Sequence, residues 1–170
     1  MEVRYIIANF ISFLDRYNLP WLLLAIISWI IIYFTSKHKS FFRAFPMGIW
    51  TAVVGYLLER FFIAHKFWTE RFIMININDI DLFVVIGPFF SLGILLIQYL
   101  PETAMKQLAS VLLWSCFATA IELLAIKLGF LSYMEGKWSY LHSLLAYFLC
   151  LMNALGFYHT LQSGKKYKLF

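Results

Sequence analysis

Five apolar runs, each close to the length of a bilayer crossing, constrain this chain more than any other feature. They cover about residues 20–35, 46–63, 80–100, 105–128 and 140–161. A helix needs about 20 apolar residues to cross the hydrocarbon core. Inside lipid, only helices and closed barrels satisfy every backbone polar group without water. A soluble chain of 170 residues could not hide this surface. Hydrophobic residues make up 62% of it and charged residues 14%, against about 45–50% and about 25% in soluble domains. The sequence therefore predicts an all-α membrane protein: one domain, residues 1–170, folded as a five-transmembrane-helix bundle with the lipid bilayer as its solvent.

The ends of the runs carry helix punctuation. Pro20 and Pro46 suit first-turn positions, where a missing N–H does no harm. Pro101 ends the third span, and Pro88 should kink it. Residues 2–17 read differently. Val3, Ile6, Ile7, Phe10, Phe13, Leu14 and Tyr17 recur at helical spacing, with Arg4, Ser12, Asp15 and Arg16 mainly elsewhere on the wheel. This pattern predicts an N-terminal amphipathic helix lying in the interface. Segment 64–79 is too polar to span and should sit at the interface. A cleaved signal peptide is not expected, since the first strong apolar run begins at Trp21 and Glu2 and Asp15 spoil a basic leader.

Charge sets orientation. The net charge is +5, and Lys37, Lys39, Arg43, Lys106, Lys165, Lys166 and Lys168 fall on one side of a five-span model. Arg4, Arg16, Lys66, Arg71 and Lys137 fall on the other. The excess of Lys and Arg predicts a cytoplasmic C-terminus and an external N-terminus in a plasma membrane. The basic clusters flank apolar runs rather than forming a domain, so nucleic acid is not an expected partner.

Two glutamates lie within spans, where ionisable groups are costly and usually functional. Glu59 shares a helix stripe with Gly48, Ala52 and Gly55, and Glu122 shares one with Ser115, Ala118 and Ala125. Small residues on a stripe let helices approach closely in lipid, so both acids should face the bundle interior. The fifth span brings His142 to the same outer side, and the connection before it brings Tyr133 and Trp138. Glu59, Glu122, Tyr133, Trp138 and His142 thus form a candidate polar cluster in the outer half of the bundle. The structural alternative is that the acids pair with Arg60, Lys127 or His142 and fix helix packing. Arg60 and Lys127 should snorkel outward. Cys116 and Cys150 fall inside apolar runs with no CxxC or zinc spacing. HExxH, Walker A and GxSxG motifs are absent. Neither a cofactor nor a metal is expected, and no residue is assigned a catalytic role.

Trp114, Glu122, Gly129, Tyr133, Trp138-Ser139 and Tyr147, with the segment Gly55-Tyr56-Leu57-Leu58-Glu59-Arg60-Phe61-Phe62, resemble an uncharacterised family of small polytopic membrane proteins of Bacillus and Clostridium relatives. The resemblance covers about two thirds of the chain. It implies a bacterial plasma membrane and a polytopic helical fold, with no activity to carry over. The order acid, Gly, Tyr, Trp is also faintly similar to membrane carotenoid cyclases. Together these features point to a non-enzymatic membrane protein that binds a lipid, a small solute or a partner helix through its polar pocket, with a homo-oligomer as a further expectation. A proton- or ion-coupled small transporter using Glu59 and Glu122 is one alternative. An enzyme acting on an apolar lipid is another.

Overall fold

A computed structural model of the chain describes residues 9, 11–36 and 38–166 and makes each apolar run helical. The interfacial helix expected over 2–17 lies in part outside the described residues. Of its remainder, residues 11–16 are helical, Leu14 is buried and Phe13 is exposed. Helix α1 (Pro20–Thr35) opens with Pro20 in its first turn. Helix α2 spans His38–Ala64, so Pro46 lies inside it rather than in its first turn. The expected loop over 36–45 is therefore mostly helix. The reason is packing: Ala44 and Met47 are buried in the core, and Phe45 contacts Phe90 with ring centroids 5.5 Å apart. The ring of Pro46 is exposed, where the lost backbone bond is cheapest.

Helix α3 (Leu82–Gln98) starts later than the apolar run because Asp81 caps it, accepting Phe83 N–H at 2.8 Å. The disturbance expected at Pro88 is a π turn over Val85–Phe89. Within it the Ile86 carbonyl accepts a hydrogen bond from Trp29 Nε1 of α1 at 3.0 Å. Helix α4 spans Ala104–Lys127 and ends in a left-handed residue, Gly129 at φ 84°. Phe130 N–H returns to the Ala125 carbonyl at 2.9 Å, the closing bond of a Schellman motif. Helix α5 spans Tyr140–Lys166.

Three stretches, Ser40–Ala64, Ala104–Lys127 and Tyr140–Ser163, are long and apolar enough to cross a membrane. Pro20–Thr35 and Leu82–Gln98 are apolar but shorter. The 16 residues of α1 reach about 24 Å, less than a core of about 30 Å.

Packing centres on α3. Ile94, Leu96 and Ile97 are fully buried between α2 and its neighbours. Helix α4 pairs with α5, and α1 lies on the first turns of α3, with Gly87 against Ala25. At the end of the bundle where α2 and α4 finish, the polar connections form two short antiparallel pairs. Strand β1 (Trp68–Glu70) pairs with β4 (Leu131–Tyr133), placing Trp68 opposite Tyr133. Strand β2 (Asn76–Ile77) pairs with β3 (Ile80–Asp81). Segment 64–79 is thus a cap over the bundle rather than a span.

Candidate functional site

The cap delivers hydrogen-bond donors to two acids in the bundle. Glu59 and Glu122 are each 7% exposed. Trp68, carried by β1, donates its indole N–H to Glu59 Oε1 at 2.5 Å. Its cross-strand neighbour Tyr133 donates its hydroxyl to Glu122 Oε1. Ser143, in the first turn of α5, donates to the same oxygen at 2.6 Å. Trp138 Nε1 donates to Ser143 Oγ at 2.8 Å, and the Tyr133 and Ser143 hydroxyl oxygens are 2.8 Å apart. Tyr147, one turn further along α5, borders the same cavities as Glu122. One strand pairing therefore fixes a donor for each acid, and the rings of Trp68, Trp138 and Phe62 pack together at 4.6–4.8 Å.

Two further acids extend the cluster. Glu70 ends β1, accepts Asp81 N–H at 3.0 Å and lies within hydrogen-bonding reach of Glu59. Burial pushes the Glu70 carboxyl up to about 7. The Asp81 N–H opposes that rise and the Asp81 charge adds to it. Burial and the neighbouring Glu122 charge push the Tyr133 phenol up as well, so it stays protonated as a donor. Asp81 is fully buried; besides capping α3, it accepts Met74 N–H at 2.6 Å.

Four of the five residues singled out from the sequence, Glu59, Glu122, Tyr133 and Trp138, are brought together. His142 is not among them. It is exposed and bonds back to Ser139, with its ring 5.2 Å from that of Trp138. Ser143 takes the inward position instead. Arg60 and Lys127 are both exposed, and the hydrogen-bond partners of the two acids are indole, phenol, hydroxyl and carboxyl groups. Trp68, Glu70, Ser143 and Tyr147 enter the site without having been singled out. Glu70 and Trp68 sit in a connection whose partner strand is about 60 residues away. Ser143 has no signal beyond its helical offset from Trp138. Among the described residues, no group of three His, Cys, Asp or Glu side chains is placed to hold a metal ion.

The acids line a cavity of about 270 Å³. Leu24, Ile27 and Ile31 of α1 line one wall and Phe117, Ala118 and Leu124 of α4 the other, with Phe89 and Leu92 of α3 between them. Ile27, Ile31, Phe117 and Leu124 are at the same time 39–55% exposed. Side chains that both line a cavity and stay exposed mark its mouth. That mouth lies between α1 and α4, which do not form a packed pair. On the other side of Glu59 and Glu122 is a smaller void of about 40 Å³, bordered by Thr51, Tyr147 and Cys150. It exceeds the roughly 10–15 Å³ that a buried water needs, and it has polar neighbours. The arrangement can grip an apolar body along its length and hydrogen-bond or exchange a proton at one end. No family model, curated protein or solved structure matches the chain.

Proposed function

We propose that the chain is an intramembrane binding protein of a bacterial plasma membrane that holds a lipid-phase small molecule with its polar end at Glu59 and Glu122. One observation carries this reading: a mostly apolar cavity of about 270 Å³ is lined by buried carboxyls and bordered by exposed apolar side chains of two helices. Pockets for small ligands take this form, mostly apolar walls with a few convergent polar groups. A lipid-phase ligand would enter sideways without crossing water. The reading includes five crossings with the C-terminus cytoplasmic. Helices α1 and α3 would cross by local thinning of the bilayer, which costs fractions of a kcal/mol per Å of mismatch.

The test is native mass spectrometry of gently purified protein beside an Ala118→Phe variant. Ala118 is 5% exposed and lines the cavity, so the added ring occupies ligand space. The wild type should carry a bound small molecule that the folded variant lacks. The same molecule at the same occupancy in both proteins would overturn the reading.

One observation favours a second reading, an enzyme on an apolar lipid. Glu122 is held by Tyr133 and Ser143 on the wall of an apolar cavity, where a positioned carboxylic acid can act as a proton donor and aromatic faces can stabilise a cation. Recovery of a ligand in two isomeric forms, interconverted by the wild type and not by Glu122→Gln, would favour it.

A further inference from the structure

We propose that the cavity selects a lipophilic ammonium, a long-chain amine whose cationic head sits against Glu59 and Glu122 and donates a hydrogen bond to Ser91 Oγ; this rests on the reading of the cavity as a binding site. The first observation is charge. Glu59, Glu70 and Glu122 all line the cavity, and among the described residues no Lys, Arg or His does. Their donors from the protein are neutral indole, phenol, hydroxyl and backbone N–H groups. These satisfy lone pairs but leave the charge unbalanced. A buried carboxylate without a cation is costly, and a cationic occupant removes that cost.

The second observation is independent of the acids. Ser91 in α3 is 3% exposed, lines the same cavity, and its hydroxyl has no hydrogen-bond partner. Hydroxyls inside helices ordinarily bond back to the carbonyl four residues earlier. Ser28, Thr51, Ser115 and Thr119 all do so here. For Ser91 that carbonyl belongs to Gly87, which lies in the π turn and accepts Phe90 N–H. The Ser91 hydroxyl is thus an unpartnered polar atom on the cavity wall, where a ligand donor would satisfy it.

The third observation is the walls. Trp68, Phe89, Trp114 and Tyr147 border the cavity, and aromatic faces attract a desolvated cation. Apart from Trp21, Phe117 and Ser28, the remaining non-acidic lining besides Ser91 is aliphatic, which fits an alkyl tail. An alcohol of the same length could use Ser91 and the acids as hydrogen-bond partners, but it would leave their charge in place.

The experiment uses full-length protein in phosphatidylcholine nanodiscs and three probes of equal chain length: dodecylamine, 1-dodecanol and dodecanoate. Dodecylamine should bind saturably, one per protomer, and about tenfold or more tightly than 1-dodecanol, as a desolvated charge-assisted pair predicts. Dodecanoate should not bind. Glu122→Gln should lose that preference and retain 1-dodecanol. Ser91→Ala, which removes one oxygen and no charge, should weaken dodecylamine several-fold and guards against a Glu122 variant that unfolds. Equal binding of amine and alcohol would overturn the ammonium and leave the cavity standing. Saturable binding of neither would overturn both. An amine preference unchanged in Glu59→Gln, Glu122→Gln and Ser91→Ala would place the cation elsewhere and overturn the proposal.

Discussion

Replacing Gly93 with alanine should destabilise the bundle more than its single methyl group suggests. Gly93 is where α3 comes closest to α2. A Cβ built there lies 2.8 Å from the Met47 carbonyl carbon and closer still to its oxygen and to Thr51 Oγ1. Carbon atoms in contact prefer about 3.5 Å or more, so the helices must separate by several tenths of an ångström. Met47 offers backbone, which cannot rotate away. Thr51 is 3% exposed and its hydroxyl is held by the Met47 and Gly48 carbonyls at 2.9 and 3.1 Å. Overpacking of this kind costs about 1–3 kcal/mol. Alanine recovers up to about 1 kcal/mol of helix propensity. With rigid neighbours the loss should dominate, at about 1–2 kcal/mol net. Gly156 in α5 is the control. It is exposed, and nothing lies within 4 Å of an added Cβ, so Gly156→Ala should be neutral or stabilising by up to about 1 kcal/mol. Equilibrium unfolding in mixed micelles, followed by tryptophan fluorescence, measures both. A Gly93→Ala protein as stable as Gly156→Ala would refute the close approach of α2 and α3.

Asp81→Ala removes a fully buried cap and leaves the N–H groups of Phe83 and Met74 without their acceptor; a loss of about 2 kcal/mol is expected in the same assay, with Asp81→Asn partly restoring it. Glu70 should make stability depend on pH. Its folded pKa of about 7 lies above its ordinary 4.5, so the folded state binds the proton more tightly, and stability relative to Glu70→Gln is greatest below about 4.5. It should then fall as pH rises to about 7, by about 3 kcal/mol at most; a difference between the two proteins that stays flat over that window would show that the Glu70 carboxyl is not buried beside Glu59 and Asp81.

The sequence carried the helices well and the cap poorly, for physical reasons that particular residues expose. Runs 20–35 and 105–128 became Pro20–Thr35 and Ala104–Lys127, because apolar length and punctuation by Pro20 and Gly129 are local signals. The start of α2 was misplaced because Lys37, Lys39 and Arg43 read as a loop. The structure instead continues the helix through Ala44 and Met47, whose burial against α3 is a tertiary effect. The small-residue stripe of α2 does face α3: Gly48 meets Phe90 and Ile94, and Gly55 meets Phe89. Yet the tightest approaches are at Gly87 and Gly93, which the stripe does not contain. Strands of two or three residues carry no periodicity, so the pairing of 68–70 with 131–133 was not legible. Trp68 and Glu70 were missed with it. His142 and Ser143 are neighbours in sequence, but one residue turns a helix by about 100°, which is enough to put one outside the bundle and the other on Glu122.

The kinds of donor around the acids bear on whether the cluster is only structural. If helix packing were its sole task, a Lys or Arg could neutralise each carboxylate, and apolar packing could replace the pair at little cost. Arg60 follows Glu59 by one position and Lys127 follows Glu122 by five, offsets that turn them onto other faces of their helices. Both are exposed. The chain satisfies the acids with Trp68, Tyr133 and Ser143, the first two fixed by a strand pairing between distant connections. Such donors orient carboxyl groups without cancelling their charge. An arrangement that spends conformational order on orienting acids, and leaves their charge available on the wall of an apolar cavity, is the arrangement expected of a site awaiting a proton or a cation.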